Sequence, residues 1–239
     1  EIYKSRAQVI HSQGAAALDL MTVAAAHNTR ASVVITRPVM IEDLIDRLTI
    51  SRKIFEMIDR AYTLKRADAV IAVSQDGFKR LGRVVRGGRL HLIHNGVDCP
   101  VRNFSLRSSE DNIHIGMVAH LRNYKALDDF LRVARKLCDV REGLHFNIIG
   151  DGPERAALVA MAAKLGLQNN VTFHGLLTDI WPVMQCLDIF LFTSLREGLS
   201  VAILEAMSMG LPIVATNIGG IADQVEPGRN GFVLPARDI

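Results

Sequence analysis

Asp188-Ile189-Phe190-Leu191-Phe192-Thr193 leads through Ser194-Leu195-Arg196-Glu197-Gly198-Leu199 into Ser200-Val201-Ala202-Ile203-Leu204-Glu205-Ala206-Met207-Ser208-Met209-Gly210-Leu211-Pro212-Ile213-Val214-Ala215. The first run is apolar and of strand length. Ser200 is a natural N-cap, Gly210 a natural helix stop, and Pro212 lies just beyond it. Strand, loop, helix and strand in that order call for parallel strands joined by a crossover helix. The helix is apolar on almost every face, which predicts burial. A buried carboxylate without a partner costs several kcal/mol, so Glu205 needs one. A neighbouring Lys or Arg would serve, and so would a ligand's hydroxyls. Glu197, eight positions earlier, is either an exposed loop residue or a second ligand group. The start of the helix offers free N–H groups and the positive end of its dipole, which suit a phosphate.

The same alternation runs along the chain. Strands are expected at Val9–Ser12, Val33–Thr36, Ala69–Val73, Leu90–Ile93, Ile113–Val118, His145–Ile149, Val171–His174, Ile189–Thr193, Pro212–Ala215 and Gly231–Leu234. Helices are expected at Ala15–Ala26, Ile41–Arg66, Lys125–Cys138, Glu154–Leu165, Trp181–Gln185 and Val201–Met209. The fold class is therefore α/β, with parallel sheets covered on both faces. The polar stretch 98–112 divides two Rossmann-like doubly wound units: 1–105, incomplete, with about four strands, and 106–239, with about six.

Ligands of such sheets sit at the carboxyl ends of the strands. In the second unit those ends carry residues 119–125, 150–153, 174–176 and 194–200, four loops able to form one pocket. His120, Arg122 and Lys125 supply cations suited to a diphosphate. Gly150-Asp151-Gly152-Pro153-Glu154 is neither a GxGxxG nor a GxxxxGK[ST] motif; it reads equally as a strand-to-helix turn or as a ligand contact. Gly219-Gly220 has the same two readings.

The chain has 239 residues and is 49% hydrophobic and 22% charged, an ordinary globular composition. Its formal charge of +3 gives no argument for nucleic acid, and no apolar run reaches the roughly 20 residues of a membrane span. No metal-ligand spacing is present, and Cys99, Cys138 and Cys186 read as reduced thiols of a cytoplasmic protein. There is neither a signal peptide nor an initiator Met, and both ends read as cut, so a fragment of a longer protein is expected. The stretch 41–58, with Arg47, Arg52 and Lys53 inside it and Arg60, Lys65 and Arg66 beyond it, reads as a basic amphipathic helix. It would either pack on the sheet or dock on an anionic membrane surface.

Taken in order, Val118-Ala119-His120-Leu121-Arg122-Asn123-Tyr124-Lys125, Ile149-Gly150-Asp151-Gly152-Pro153-Glu154, Val171-Thr172-Phe173-His174-Gly175, Glu197-Gly198 through Glu205-Ala206-Met207, Gly210 to Thr216, Gly219-Gly220 and Asn230-Gly231 resemble the C-terminal domain of retaining glycosyltransferases of family 4, which have the GT-B architecture. The resemblance covers roughly residues 68–239. It implies a UDP-, GDP- or ADP-sugar as donor and neither metal nor cofactor. Glu205 would hold the ribose hydroxyls and Glu197 the sugar hydroxyls near the reacting carbon. Gly198, Leu199, Ser200 and Val201 would bind sugar and phosphate through their backbone. Lys125, with Arg122 or His120, would neutralise the leaving diphosphate. Gly150, Gly152, Gly219 and Gly220 would lie along the donor, with His174 and Leu176 near its base. The acceptor is set by the first domain and would be a glycan or a lipid-linked acceptor; docking of the basic stretch on a membrane would suit a cell-envelope glycan reached at the inner face.

The chain departs from the family where His120 stands for the usual Arg, and where Asp223 is nearest to the Glu that often follows the glycine pair. Arg37-Pro38 stands where a His commonly lies, so that His is not assigned; His11 is a weak candidate for its part and reads more readily as a structural His at a strand end. Retaining hydrolases place a nucleophilic carboxylate about 5 Å from a second one. Neither Glu here is positioned by the resemblance as that nucleophile, so attack on the front face is expected. The competing readings are a nucleotide-sugar epimerase or phosphorylase, and a sugar-nucleotide-binding module without transfer activity.

Overall fold

A computed structural model describes residues 7–13, 16–27, 29–38, 54, 57–98 and 112–238. The chain divides into two compact units, 1–95 and 96–239. The boundary stretch read at 98–112 lies, but for its end residues, outside the described residues, as does most of the basic stretch 41–58.

The first unit holds a four-stranded parallel sheet in the order β1 (Val9–Gln13), β2 (Ser32–Arg37), β3 (Ala69–Ala72), β4 (Leu90–Leu92). Helix α1 (Ala16–Ala26) links β1 to β2. A π-helical turn, Asp59–Thr63, runs into the short α2 (Leu64–Arg66) before β3. Helix α3 (Gln75–Leu81) links β3 to β4 and was not expected from the sequence. It is a seven-residue helix with Gly77 inside, too short and too weak in propensity to show periodicity. Its signals were at its ends: Ser74 caps the Gly77 N–H at 3.1 Å, Asp76 sits in the first turn, and Lys79 and Arg80 sit in the last. Ile35, Val70 and Ala72, each at 0% exposure, centre this unit's core.

The second unit holds six parallel strands: β5 (Ile113–Val118), β6 (Leu144–Ile149), β7 (Val171–Gly175), β8 (Ile189–Phe192), β9 (Ile213–Thr216) and β10 (Gly231–Leu234). Their order is β10-β9-β8-β5-β6-β7. The chain builds outward from β5 to β7 on one side, then crosses back and builds outward from β8 to β10 on the other. Strands of opposite growth therefore meet at β5 and β8, and the carboxyl ends of those two strands flank the topological switch point. Helices α4 (Leu127–Cys138), α5 (Arg155–Lys164), α6 (Trp181–Met184) and α7 (Val201–Ser208) make the crossovers. Phe130 of α4 meets Phe146 of β6 edge-on, 5.9 Å between ring centroids, and both are fully buried with Phe190 and Phe192 of β8.

Two expectations are corrected. Lys125 is not the first residue of a helix but the last of a 3-10 turn, Asn123–Lys125; Ala126, left-handed at φ 47°, separates it from α4. Helix α7 is not buried all round. Ile203 and Ala206 are in the core, whereas Val201 is 45% exposed and Glu205 is partly so. The apolar count of that helix exceeds what β8 and β9 cover.

Candidate functional site

Loop 119–122 leaves β5 and lies along the turn after β6. Ala119 N–H donates to Ile149 (2.9 Å), Leu121 N–H to Asp151 (2.9 Å), and Glu154 N–H to Leu121 (3.1 Å). His120 Nδ1 donates to the Asp151 carbonyl at 2.6 Å, which leaves Nε2 to face outward from an exposed ring. A Cβ on Gly150 would strike the Ala119 carbonyl, and one on Gly152 would lie 2.5–2.8 Å from the Leu121 backbone. Both glycines are thus required by a close approach of two loops of the protein itself. Gly150 N–H also donates to Gly175 at 2.8 Å, which brings in the end of β7.

Tyr124, Lys125 and Ala126 are tied to the end of β8. Thr193 Oγ1 donates to the Ala126 and Lys125 carbonyls (2.9 and 3.1 Å). Ser194 Oγ donates to the Tyr124 carbonyl (3.2 Å), and Leu195 N–H to the same carbonyl (2.7 Å). Thr216 of β9 donates to the Ser194 carbonyl. Left-handed, buried Ala126 is sustained by this network, since such a conformation costs an alanine about 1–2 kcal/mol. The result is that Lys125 Nζ donates to Glu197 Oε1 across the switch point, the two side chains being 15% and 11% exposed. The ammonium also lies 5.4 Å from the ring centroids of both Tyr124 and Phe192. Thr193, Ser194 and Thr216 were not singled out in the sequence; a Thr-Ser pair directly after an apolar strand was the available signal.

Loop 197–200 leads into α7. The Glu197 carbonyl occupies the place a Cβ on Gly219 would need, so Gly219, at φ +49°, is also explained by contact within the protein. Ser200 caps α7, its Oγ accepting from Ile203 N–H at 3.4 Å. The N–H groups of Leu199 and Val201 have no acceptor among the described residues. Contacts join Gly175 to Gly150 and Gly150 to Ala119, Tyr124 to Leu195, and Glu197 to Gly219, and the loops 119–124 and 195–197 connect these along the chain. Gly220 is buried within the 3-10 turn that follows. Arg122 is exposed and its side chain has no acceptor among the described residues, and Leu176 is 82% exposed just past β7.

Two titrating groups complete the second unit's site. His174 donates from Nε2 to Asn147 Oδ1 at 2.9 Å, and burial pushes its pKa down, so it is a neutral ring. Glu205 on α7 finds no partner for its carboxylate among the described residues, and burial pushes its pKa up. Its folded pKa lies above the unfolded one. Its stabilising protonation is thus fully present only below the ordinary value of 4.5 and is lost as pH rises through the raised folded value. Glu205→Gln is accordingly expected to raise the melting temperature of the ligand-free protein at neutral pH and to leave it unchanged near pH 4. Thermal melts at the two pH values check this. His11, in the first unit, bonds Thr36 Oγ1 through Nε2 at 2.8 Å, a link between adjacent strands. Among the described residues no cluster of three or more metal-binding side chains occurs, and no helix is long and apolar enough to cross a membrane.

A family model described as Glycosyl transferases group 1 matches residues 112–239, and one described as Glycosyltransferase Family 4 matches residues 1–101. The chain is 29% identical over 184 residues to a 2-deoxystreptamine glucosyltransferase of Streptomyces kanamyceticus, covering 76% of this chain and 41% of that protein. It is 32% identical over 169 residues to a phosphatidylinositol N-acetylglucosaminyltransferase subunit of Arabidopsis thaliana, covering 68% and 37%. The chain thus spans less than half the length of these relatives. Among solved structures it resembles the HepE protein of Anabaena in complex with UDP-glucose, with a TM-score of 0.81 at 22% identity, over 96% of this chain and 65% of that one. It also resembles a sucrose-phosphate synthase of Thermosynechococcus elongatus, with a TM-score of 0.84 at 20% identity, over 99% and 62%. These likenesses bear out the GT-B fold class.

Proposed function

Since the chain belongs to the group 1 glycosyl transferases, we propose that it takes part in retaining transfer of a sugar from a UDP-, GDP- or ADP-sugar to a glycan or lipid-linked acceptor, with the donor held at the β5–β8 switch point. The relatives include one named for 2-deoxystreptamine and one named for phosphatidylinositol, so a small soluble acceptor and a lipid acceptor both fit the reading. A lipid-linked acceptor would bring the protein to the inner face of a membrane.

Glu205 accepts hydrogen bonds from the ribose hydroxyls. The free N–H groups of Leu199 and Val201, at the positive end of α7, take the diphosphate. Lys125 turns from Glu197 toward the leaving phosphate, and exposed Arg122 or His120 closes over it. These cations supply the charge stabilisation, so the reading calls for no metal ion or cofactor. The bond between the anomeric carbon and the diphosphate oxygen breaks, the acceptor oxygen bonds that carbon on the same face, and the acceptor proton passes to the departing phosphate. Glu197 supports the positive charge that develops on the sugar ring.

The observation that carries this reading is Glu205, a partly buried carboxylate with no protein partner among the described residues, on the helix that follows the switch-point strand. Titration with UDP, GDP and ADP is expected to stabilise the protein with one of them. Glu205→Ala is expected to weaken that binding by about one to two orders of magnitude, the worth of a hydrogen bond to a charged group. Equal binding by the variant, or stabilisation by none of the three, overturns the reading.

A further inference from the structure

Gln224 follows the 3-10 turn Gly219–Asp223 and is 6% exposed. Its Oε1 accepts from the Ser200 N–H at 2.9 Å, and its Nε2 donates to the Ser200 carbonyl at 2.7 Å. One amide group thereby satisfies the donor and the acceptor of a single residue 24 positions away, both bonds being buried. Ser200 is the residue at which the loop becomes helix: it is extended, at φ −80° and ψ 117°, and it caps α7. The clamp consumes the Ser200 N–H and leaves those of Leu199 and Val201, on either side, without an acceptor among the described residues. The same turn meets the loop at its other end, where Gly219 abuts the Glu197 carbonyl. Residues 197–200 are therefore held at both ends by one short segment.

We infer that Gln224 is a positioning residue for the diphosphate. It touches no substrate, and it fixes the two peptide planes that meet at Ser200, the second of which carries the Val201 N–H offered to the anion. This rests on the donor-site reading above. A residue that merely anchored the 3-10 turn would affect melting and leave ligand affinity alone.

The test is calorimetric titration of UDP, GDP and ADP into the protein and into Gln224→Met, which keeps the volume and loses both hydrogen bonds, at a temperature well below both melting transitions. The binding nucleotide is expected to lose about tenfold in affinity in Q224M, the cost of an unsatisfied buried group acting on the site. Unchanged affinity in Q224M, with the parent protein binding, overturns the inference and leaves the donor site standing. Binding by neither protein overturns the donor-site reading and the inference with it. If Q224M does not fold, Gln224→Glu, which keeps an acceptor for the Ser200 N–H and loses the donor to its carbonyl, is expected to show the same loss and carries the same outcomes.

Discussion

Glu197→Gln is expected to lower kcat by about two to three orders of magnitude, the scale seen when one preorganised electrostatic group is removed from a reaction centre, with no loss of donor affinity. The two halves of this expectation come from one geometric fact: Glu197 Oε1 accepts from Lys125 Nζ, in a pair largely shielded from water. In the ligand-free protein the carboxylate neutralises the ammonium that the proposed donor's diphosphate would need, so donor binding would compete with the ion pair. Glutamine keeps an oxygen to accept from Lys125 and so preserves the local fold, but it gives up the charge. The lysine becomes a freer partner for phosphate, and the developing positive charge on the sugar loses its support. Steady-state kinetics with a paired measurement of donor affinity separates these effects. A parallel fall in affinity and turnover would make Glu197 a ground-state binding group and sink its proposed part in the reaction.

That pairing also marks the limit of what the sequence discloses. Period and punctuation were enough for the strands, because a parallel strand buried on both faces is a short apolar run bounded by polar residues, as in Ile189–Phe192 between Asp188 and Thr193. Lys125 and Glu197 were each legible as candidates, one as a cation after a strand and one as a carboxylate before a helix. Their contact was not legible, since it depends on β5 and β8 being neighbours although 72 residues separate the pair. Gly150 and Gly152 show the converse. A glycine in sequence states that backbone comes close, not whose; here the backbone is that of Ala119 and Leu121. Gln224 left no local trace, because its two bonds reach a residue on another loop and an amide side chain follows no period.

Arg37→Met is expected to destabilise the first unit by about 3–5 kcal/mol, the cost of leaving buried carboxylates without their counter-charge. Arg37, at the end of β2, meets Asp19 of α1 through Nε at 3.0 Å and Asp59 of the π-helical turn through an Nη at 2.5 Å. The three side chains are 5%, 0% and 3% exposed. Ser12 of β1 adds a hydrogen bond to Asp19, so one guanidinium joins four elements. An ion pair such as Arg229–Glu226, 79% and 64% exposed, is worth at most about 1 kcal/mol by contrast.

The pH dependence separates charge from packing. Burial holds both carboxyls above their ordinary value of 3.8 even with Arg37 pulling them down. A folded pKa above the unfolded one gives stability that is complete below the unfolded value and is lost as pH rises through the folded value. Removing the guanidinium takes away a lowering influence, so both folded values climb and the deficit of R37M must grow from acid to neutral pH. Urea melts near pH 4.5 and pH 7.5 measure it; a deficit equal at both would assign the effect to packing. The resemblance places a reactive histidine in the region that Arg37 occupies, yet this residue is 6% exposed and flanked by a carboxylate on each side. Activity in R37M is therefore expected to fall only as the folded fraction falls. A loss of kcat at a temperature where the variant is fully folded would instead bring Arg37 into the reaction.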